Sequence, residues 1–380
     1  MNGCKYKCSV YVRNRNYSPS SYYRIIQYIP KLEKNGIDIN VNESLNDCEF
    51  KKNLNNFGKW WRKIYQAILW MRICNRRKKQ ILEDLRTGTK VIFVQREAIP
   101  HFMPKAITRA YVELCKKNKV IWDYDDDIFS SNEISATETD ILLKNSDVIQ
   151  GIGEYSKSLI PKEYRYKYVA IPTTDGSSEQ DAITSSIQEK KIRYEKAFDI
   201  VWVGTVSNLS NIDLVIDAVE DAAKQLKAKN NKWVRLIIVC NVPYEYQSEN
   251  IEIVNIKWTR EEAKNQIRRA HLGIMPFVNG LYQKGKGGFK LIQYLSESVP
   301  VIASDVGFCR EVVTDECGII ATDTSNWKDG IIKMATDIQK WMELSEGAYK
   351  RYKERFDIDN NSAVLLDNIC AGINRRDIVK

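Results

Sequence analysis

Two short stretches hold most of the residues able to do chemistry. One is KGKGGFK at 284–290, where three lysines are interleaved with three glycines. Glycine lets the backbone approach a ligand closely, lysine supplies a full positive charge, and a following helix turns its partial positive end on the same spot. That combination suits an anion. Lys284, Lys286 and Lys290 are its candidate charges, although a flexible turn, with Lys290 snorkelling to solvent from the helix, fits the same residues. The other stretch is WDYDDDIF at 122–129, with Asp123, Asp125, Asp126 and Asp127 closing an apolar run. Carboxylates so spaced can ligate a divalent cation, cap the next element or orient a hydroxyl. Arg96 and Glu97, in VQREAIP at 94–100, form a third, smaller charged group.

Composition removes several kinds of chemistry. The chain has two histidines, His101 and His271, which leaves almost no material for a zinc site or a Ser-His-Asp triad. Its nine cysteines include no CxxC pair, and several lie in apolar runs such as RLIIVC, so they read as buried free thiols of a reducing compartment. No run approaches about 18 apolar residues, so a cytoplasmic protein without a spanning helix is expected. The formal charge of +9 is concentrated in KWWRKIYQAILWMRICNRRKKQ at 59–80, which has eight Lys or Arg and no acid.

The elements that must position these residues alternate between strand and helix. Strands are expected at 7–12, 37–41, 90–95, 119–124, 146–151 and 167–172, and again at 198–204, 234–240, 251–258, 272–277, 300–304 and 318–321. The polar stretch 173–195 reads as a linker, and everything beyond 325 reads as helical. The fold class is therefore α/β, with two Rossmann-like doubly wound domains facing across a cleft. They span 1–180 and 196–335, and the helices of 336–380 partly return to the first domain. In open parallel sheets ligands gather outside the carboxyl ends of the strands, where the lysine loop, the aspartates and Arg96 all fall.

In order along the chain, VWVGTVSNLSNIDLVIDAV, IKWTREEAKNQIRRAHLGIMPF and KGKGGFKLIQYLSESVPVIASDVGFCREVV resemble the retaining GT-B glycosyltransferases of family 4. VQREAIP, KVIWDYDDDIF and SDVIQGIGEYSKSLI followed by IPTT resemble one branch of that family, and the likeness runs over roughly residues 20 to 320. The resemblance implies a nucleotide-sugar donor held by the second domain and an acceptor held by the first. It also implies catalysis without a metal or other cofactor. Lys286 then stabilises the diphosphate leaving group, with Lys284, Gly287, Gly288, Phe289 and Lys290 around it and Gly204 and Thr205 offering backbone and hydroxyl contacts.

The departures bear on the donor sugar. Where many members carry two glutamates separated by seven intervening residues, this chain has Gly285 and Gln293, and GTVSNLSN lacks the Arg and Lys often found there. Gln293 can still bond a ribose hydroxyl through its amide. Glu311 either contacts the donor or complements a helix dipole. Because DxD motifs bind metal in the other large glycosyltransferase fold, the aspartate segment keeps three readings open: metal site, structural cap paired with an arginine such as Arg96, or catalytic carboxylates. In the last, Asp125 or Asp126 orients the acceptor hydroxyl. Arg96, Glu97, Tyr23 and Arg24 are the acceptor candidates, with core packing the rival role for the tyrosine.

On a helix, Trp60, Trp61, Ile64, Tyr65, Ile68 and Met71 of the basic stretch share a face opposite Lys59, Arg62 and Lys63. Tryptophan with Lys and Arg in this arrangement reads as an interfacial anchor on the inner face of a membrane, which suits a lipid-linked acceptor. A core-facing helix with a solvated basic side is the alternative, and no nucleic-acid-binding motif is present. The expectation is a retaining glycosyltransferase of surface polysaccharide or glycoconjugate synthesis. Its rival is a catalytically silent homologue that binds sugar nucleotide or membrane, and the Lys, Asn and Ile bias fits an A+T-rich bacterial genome.

Overall fold

The computed structural model describes residues 6–54 and 59–371. The chain divides into two compact units: residues up to Thr173 together with those from Asp359 onward, and Thr174–Ile358.

In the first unit, β1 (Tyr6–Val12), β2 (Ile37–Glu43), β3 (Val91–Gln95), β4 (Lys119–Asp123), β5 (Val148–Gly151) and β6 (Tyr168–Ala170) pair in the order β2-β1-β3-β4-β5-β6, every pair parallel. Strands β3 and β4 are buried at every position, as strands covered by helices on both faces must be. The last helix, Ile358–Cys370, is tied to this unit by Asn361, which donates to the Pro172 carbonyl at 2.8 Å, and by Lys119, which donates to the carbonyls of Ile369 and Ala371.

The second unit holds β7 (Ala197–Val203), β8 (Trp233–Val239), β9 (Ile251–Ile256), β10 (Leu272–Met275), β11 (Val301–Ser304) and β12 (Gly318–Ala321), also all parallel, in the order β12-β11-β10-β7-β8-β9. Numbered within the unit this is the doubly wound order 3-2-1-4-5-6, with its switch point between β7 and β10. In the first unit the order reverses between β1 and β3. All twelve strands fall where the alternation of apolar runs places them.

The stretch 173–195 is not a bare linker. Residues Gln180–Tyr194 form a helix of the second unit that buries Ile183, Ser186, Lys190 and Tyr194. Its buried stripe is made of one isoleucine, a serine, a lysine and a tyrosine, so hydropathy does not reveal it. Lys190 Nζ donates to the Ser298 carbonyl at 3.3 Å and lies 5.9 Å from the Trp341 ring centre.

The basic stretch lies in one long helix, Lys59–Arg86. Leu69, Ile73, Arg77, Ile81 and Asp84 form its buried side, while Trp61, Ile68, Met71 and Leu82 are exposed on the other. Helical spacing puts these two sets on opposite faces, so the helix has an apolar stripe toward the core and a second one toward solvent. Tyr65 departs from the expected outward face and packs with Leu45, Leu69 and Ile73. Arg77 is no part of a solvated patch: its guanidinium is buried and donates to the carbonyls of Val12, Asn42 and Ala98. Arg76 turns to Glu49 at 2.9 Å. Arg62, Lys63, Arg72, Lys78 and Lys79 remain exposed, and the side chains of Lys59 and Trp60 lie outside the described residues.

Of the cysteines, Cys8, Cys74, Cys115, Cys240, Cys309 and Cys317 are buried free thiols, whereas Cys48 and Cys370 are free and exposed; Cys4 lies outside the described residues.

Candidate active site

Each unit carries one group of candidate residues at its own switch point. In the second unit the lysine- and glycine-rich loop is built around Gly288. Its φ of +59 begins helix Phe289–Ser296 in a left-handed conformation that a side chain resists. The first backbone N–H groups of that helix have no intrahelical acceptor, so this end is partially positive. Before it, helix Leu281–Lys284 ends at Gly285, and the Lys286 N–H donates to Gln283.

Lys290 lies half-buried with its Nζ 4.9 Å from the centre of the Trp202 ring, near the end of β7. Burial, and then repulsion from Lys286, pushes its pKa down to about 8. The two ammonium groups therefore sense each other at a terminus that is already positive. Trp202 also explains Gly204: a Cβ there would lie 2.2 Å from the indole, so only glycine lets the chain turn past the ring. Thr205 is exposed, and its hydroxyl accepts from the Asn208 amide at 2.9 Å. The buried Tyr294 hydroxyl accepts from the Val203 N–H at 3.1 Å and donates to the Ile274 carbonyl at 3.3 Å, which fixes the helix to both strands of the switch point.

Gln293 donates through its amide to Asp175 at 3.2 Å, so a carboxylate stands beside the position where family 4 members often have a glutamate. Asp175 lies in the segment TTDGSS and was hidden from sequence reading by the linker assignment. Glu311 is half-buried in the short helix Cys309–Val312, and its carbonyl accepts from Arg351 at 2.7 Å.

In the first unit the four aspartates divide their work. Asp123, ending β4, is paired with Arg24, both side chains only 1% exposed. Arg24 donates from Nε at 3.0 Å and from a terminal nitrogen to Asp123, and from the other terminal nitrogen to the Ile171 carbonyl and the Thr173 hydroxyl. The expectation that Arg24 contacts an acceptor gives way to a structural tie between helix Pro19–Arg24 and β4, and Tyr23 is likewise buried. Asp127 caps the following turn, accepting from the N–H groups of Phe129 and Ser130.

Asp125 and Asp126 instead face Arg96, at 3.2 and 3.5 Å. Burial works against the Asp125 charge, but Arg96, Arg24 and the Ser20 hydroxyl outweigh it and hold the carboxyl below its ordinary value. Arg96 has a φ of +65 and pairs on its other side with Glu133 at 2.9 Å. Arg13, just past β1, bridges Glu97 at 2.6 Å and Glu133 at 3.0 Å. Four carboxylates thus face two guanidiniums, and the excess of negative charge favours a ligand that donates hydrogen bonds. Two buried atoms in this network, Arg96 Nε and Glu97 Oε2, have no hydrogen-bond partner. Arg13 occupies the same kind of strand end that singles out Arg96, so the strand-end rule finds it; Ser20 and Glu133 carry no such signal. Among the described residues no three His, Cys, Asp or Glu side chains are grouped as a metal site would need.

Residues 197–337 match the model of the family described as Glycosyl transferases group 1, which covers most of the second unit and its lysine loop. No curated protein sequence matches the chain. Among solved structures, Alr3699/HepE of Anabaena in complex with UDP-glucose shares 10% identity over 95% of this chain and 98% of its own, at a TM-score of 0.60. A UDP-forming α,α-trehalose-phosphate synthase from Burkholderia xenovorans shares 10% over 97% and 99%, at 0.64. The catalytic domain of starch synthase IV from Arabidopsis thaliana, bound to ADP and acarbose, shares 9% over 97% of this chain and 99% of its own, at 0.63. The fold is that of the GT-B glycosyltransferases, and the second unit carries their group 1 signature.

Proposed function

We propose that the protein is a retaining glycosyltransferase that moves a sugar from a nucleotide-sugar donor to a glycan or lipid-linked saccharide, in surface polysaccharide or glycoconjugate synthesis. The observation that carries this reading is the pair Lys286 and Lys290 at the N-terminus of helix 289–296, inside the segment that matches the group 1 model. Two cations that repel each other at a positive helix end favour an anion there, and a nucleotide diphosphate supplies one. The bond from the sugar carbon to the phosphate oxygen breaks while that oxygen, on the same face, takes the proton of the incoming acceptor hydroxyl. The new glycosidic bond then forms with retention and needs no protein nucleophile or metal. Asp125 and Asp126 orient the acceptor hydroxyl.

The solvent-facing stripe Trp61, Ile68 and Met71, flanked by Arg62, Arg72, Lys78 and Lys79, supports a peripheral stance on an anionic membrane surface. Among the described residues no helix is long and apolar enough to cross a membrane. Gly285, which offers a donor sugar no side chain, favours a second reading in which the chain binds a sugar nucleotide without turnover.

Titration calorimetry with UDP, GDP, CDP and ADP in the presence of EDTA tests the donor site. UDP comes first because the Anabaena and Burkholderia neighbours are a UDP-glucose complex and a UDP-forming enzyme. One nucleotide is expected to bind despite chelation and to lose at least about tenfold in affinity in Lys286→Ala and in Lys290→Ala. Failure of all four to bind the folded protein, or variants that bind like the parent, contradicts the reading.

A further inference from the structure

The first unit contains a cavity of about 330 Å³ whose wall includes Arg13, Gln66, Leu69, Trp70, Glu97 and Glu133. It lies at the β1/β3 switch point, with the long helix 59–86 supplying one side. The volume is at the lower end of the range for small-molecule sites. Two features of the wall point to a ligand. The Glu97 side chain is 4% exposed; its Oε1 accepts from Arg13 twice, while its Oε2 has no partner. A buried carboxylate oxygen left unsatisfied is costly, and the cost is removed by a ligand that donates to it. The second feature is Trp70. Its indole Nε1 donates to the Pro100 carbonyl at 3.2 Å, so the ring is fixed at the cavity wall, with Phe102 6.0 Å away.

A fixed indole offers an apolar face, and beside it stand two carboxylates, one guanidinium and the Gln66 amide. A pyranose ring is complementary to this: its axial C–H face stacks on an aromatic ring, and its equatorial hydroxyls donate to carboxylates and accept from Arg or amide groups. The carboxylates outnumber the arginine, which disfavours a phosphorylated or otherwise anionic ligand. We propose that this cavity is a subsite for a neutral sugar ring of the acceptor, with a hydroxyl donating to Glu97 Oε2 and the ring lying against Trp70. The inference rests on the transferase reading and adds to it that the acceptor is a saccharide with an uncharged ring.

The test is saturation-transfer NMR on the full chain with methyl glucoside, methyl galactoside, methyl N-acetylglucosaminide and cellobiose, each compared with glucose 6-phosphate. At least one neutral glycoside is expected to bind, with a dissociation constant of about a millimolar. Glu97→Gln should weaken it by at least about tenfold. Gln66→Trp, at an exposed position where folding is not at risk, should fill the cavity and abolish binding. Absence of binding by every neutral glycoside, preference for the phosphorylated sugar, or binding that survives both variants overturns the proposal. Nucleotide binding measured on the same samples separates the two readings: nucleotide without glycoside removes the subsite alone, and neither removes the transferase as well.

Discussion

Arg24 and Arg96 are both buried beside aspartates, yet they differ in what is left over. Each nitrogen of the Arg24 guanidinium is spent on Asp123, Ile171 or Thr173, whereas Arg96 keeps an unpartnered Nε and shares its charge among Asp125, Asp126 and Glu133. Removing one member of a buried pair strands the other charge. Arg24→Met should therefore lower unfolding stability by about 3–5 kcal/mol in urea titrations. Donor binding by the folded fraction should be unchanged; a stable variant with specifically lost acceptor use would return Arg24 to the acceptor site. The sequence shows which residue types cluster at strand ends, and so finds Asp123, Asp125, Asp126, Arg96 and Glu97. It does not show which aspartate is consumed by an arginine about a hundred positions away, because the pairing depends on where two helices and a strand meet.

At the scale of elements, strands were legible because buried parallel strands are continuous apolar runs, while helix 180–194 was not, since its buried stripe is largely polar. His271, at the start of β10, shows how an element is held by a neutral polar group. Its Nδ1 accepts from the Asp199 N–H at 2.9 Å and its Nε2 donates to the Lys190 carbonyl at 3.0 Å, a pattern that only the neutral ring satisfies. Burial pushes its pKa down to about 4, from an ordinary value of 6.5. The unfolded chain then takes up the proton first, so this contribution is whole above pH 6.5 and is lost as pH falls toward 4. Urea unfolding should show about 2 kcal/mol less stability from this group at pH 5 than at pH 7, and His271→Gln should lack that slope. An equal slope in the variant would assign the loss to other groups.

The long helix 59–86 is the other element whose role depends on which face is covered. Its inward stripe belongs to the core, and Trp61 and Met71, 66% and 51% exposed, belong to the outward one. Sedimentation with anionic vesicles should capture the protein, with capture falling as salt rises. Replacing both residues by serine should weaken it at least about tenfold. Capture equal for anionic and neutral vesicles, or unaffected by the double variant, contradicts a membrane-facing stripe.

For the whole molecule, two doubly wound units each place charged groups at their own switch point, one rich in positive charge and the other in carboxylates. That division suits a reaction with an anionic leaving group and a hydroxyl nucleophile. The resemblance visible in the sequence is strongest in the second unit, where the family model also matches, because its loop, helix and strand are contiguous in the chain. The first site is assembled from residues 13, 20, 96, 97, 125, 126 and 133, and only folding brings them together. The measurement that bears most directly on the account is release of free nucleotide from UDP-, GDP-, CDP- and ADP-sugars by the purified protein, with EDTA and a neutral saccharide acceptor present. Saccharide-dependent turnover with one donor, lost in Lys286→Ala and giving a product with the anomeric configuration of the donor, is the predicted result. Tight nucleotide binding with no turnover on any donor would contradict it and leave a silent sugar-nucleotide-binding homologue.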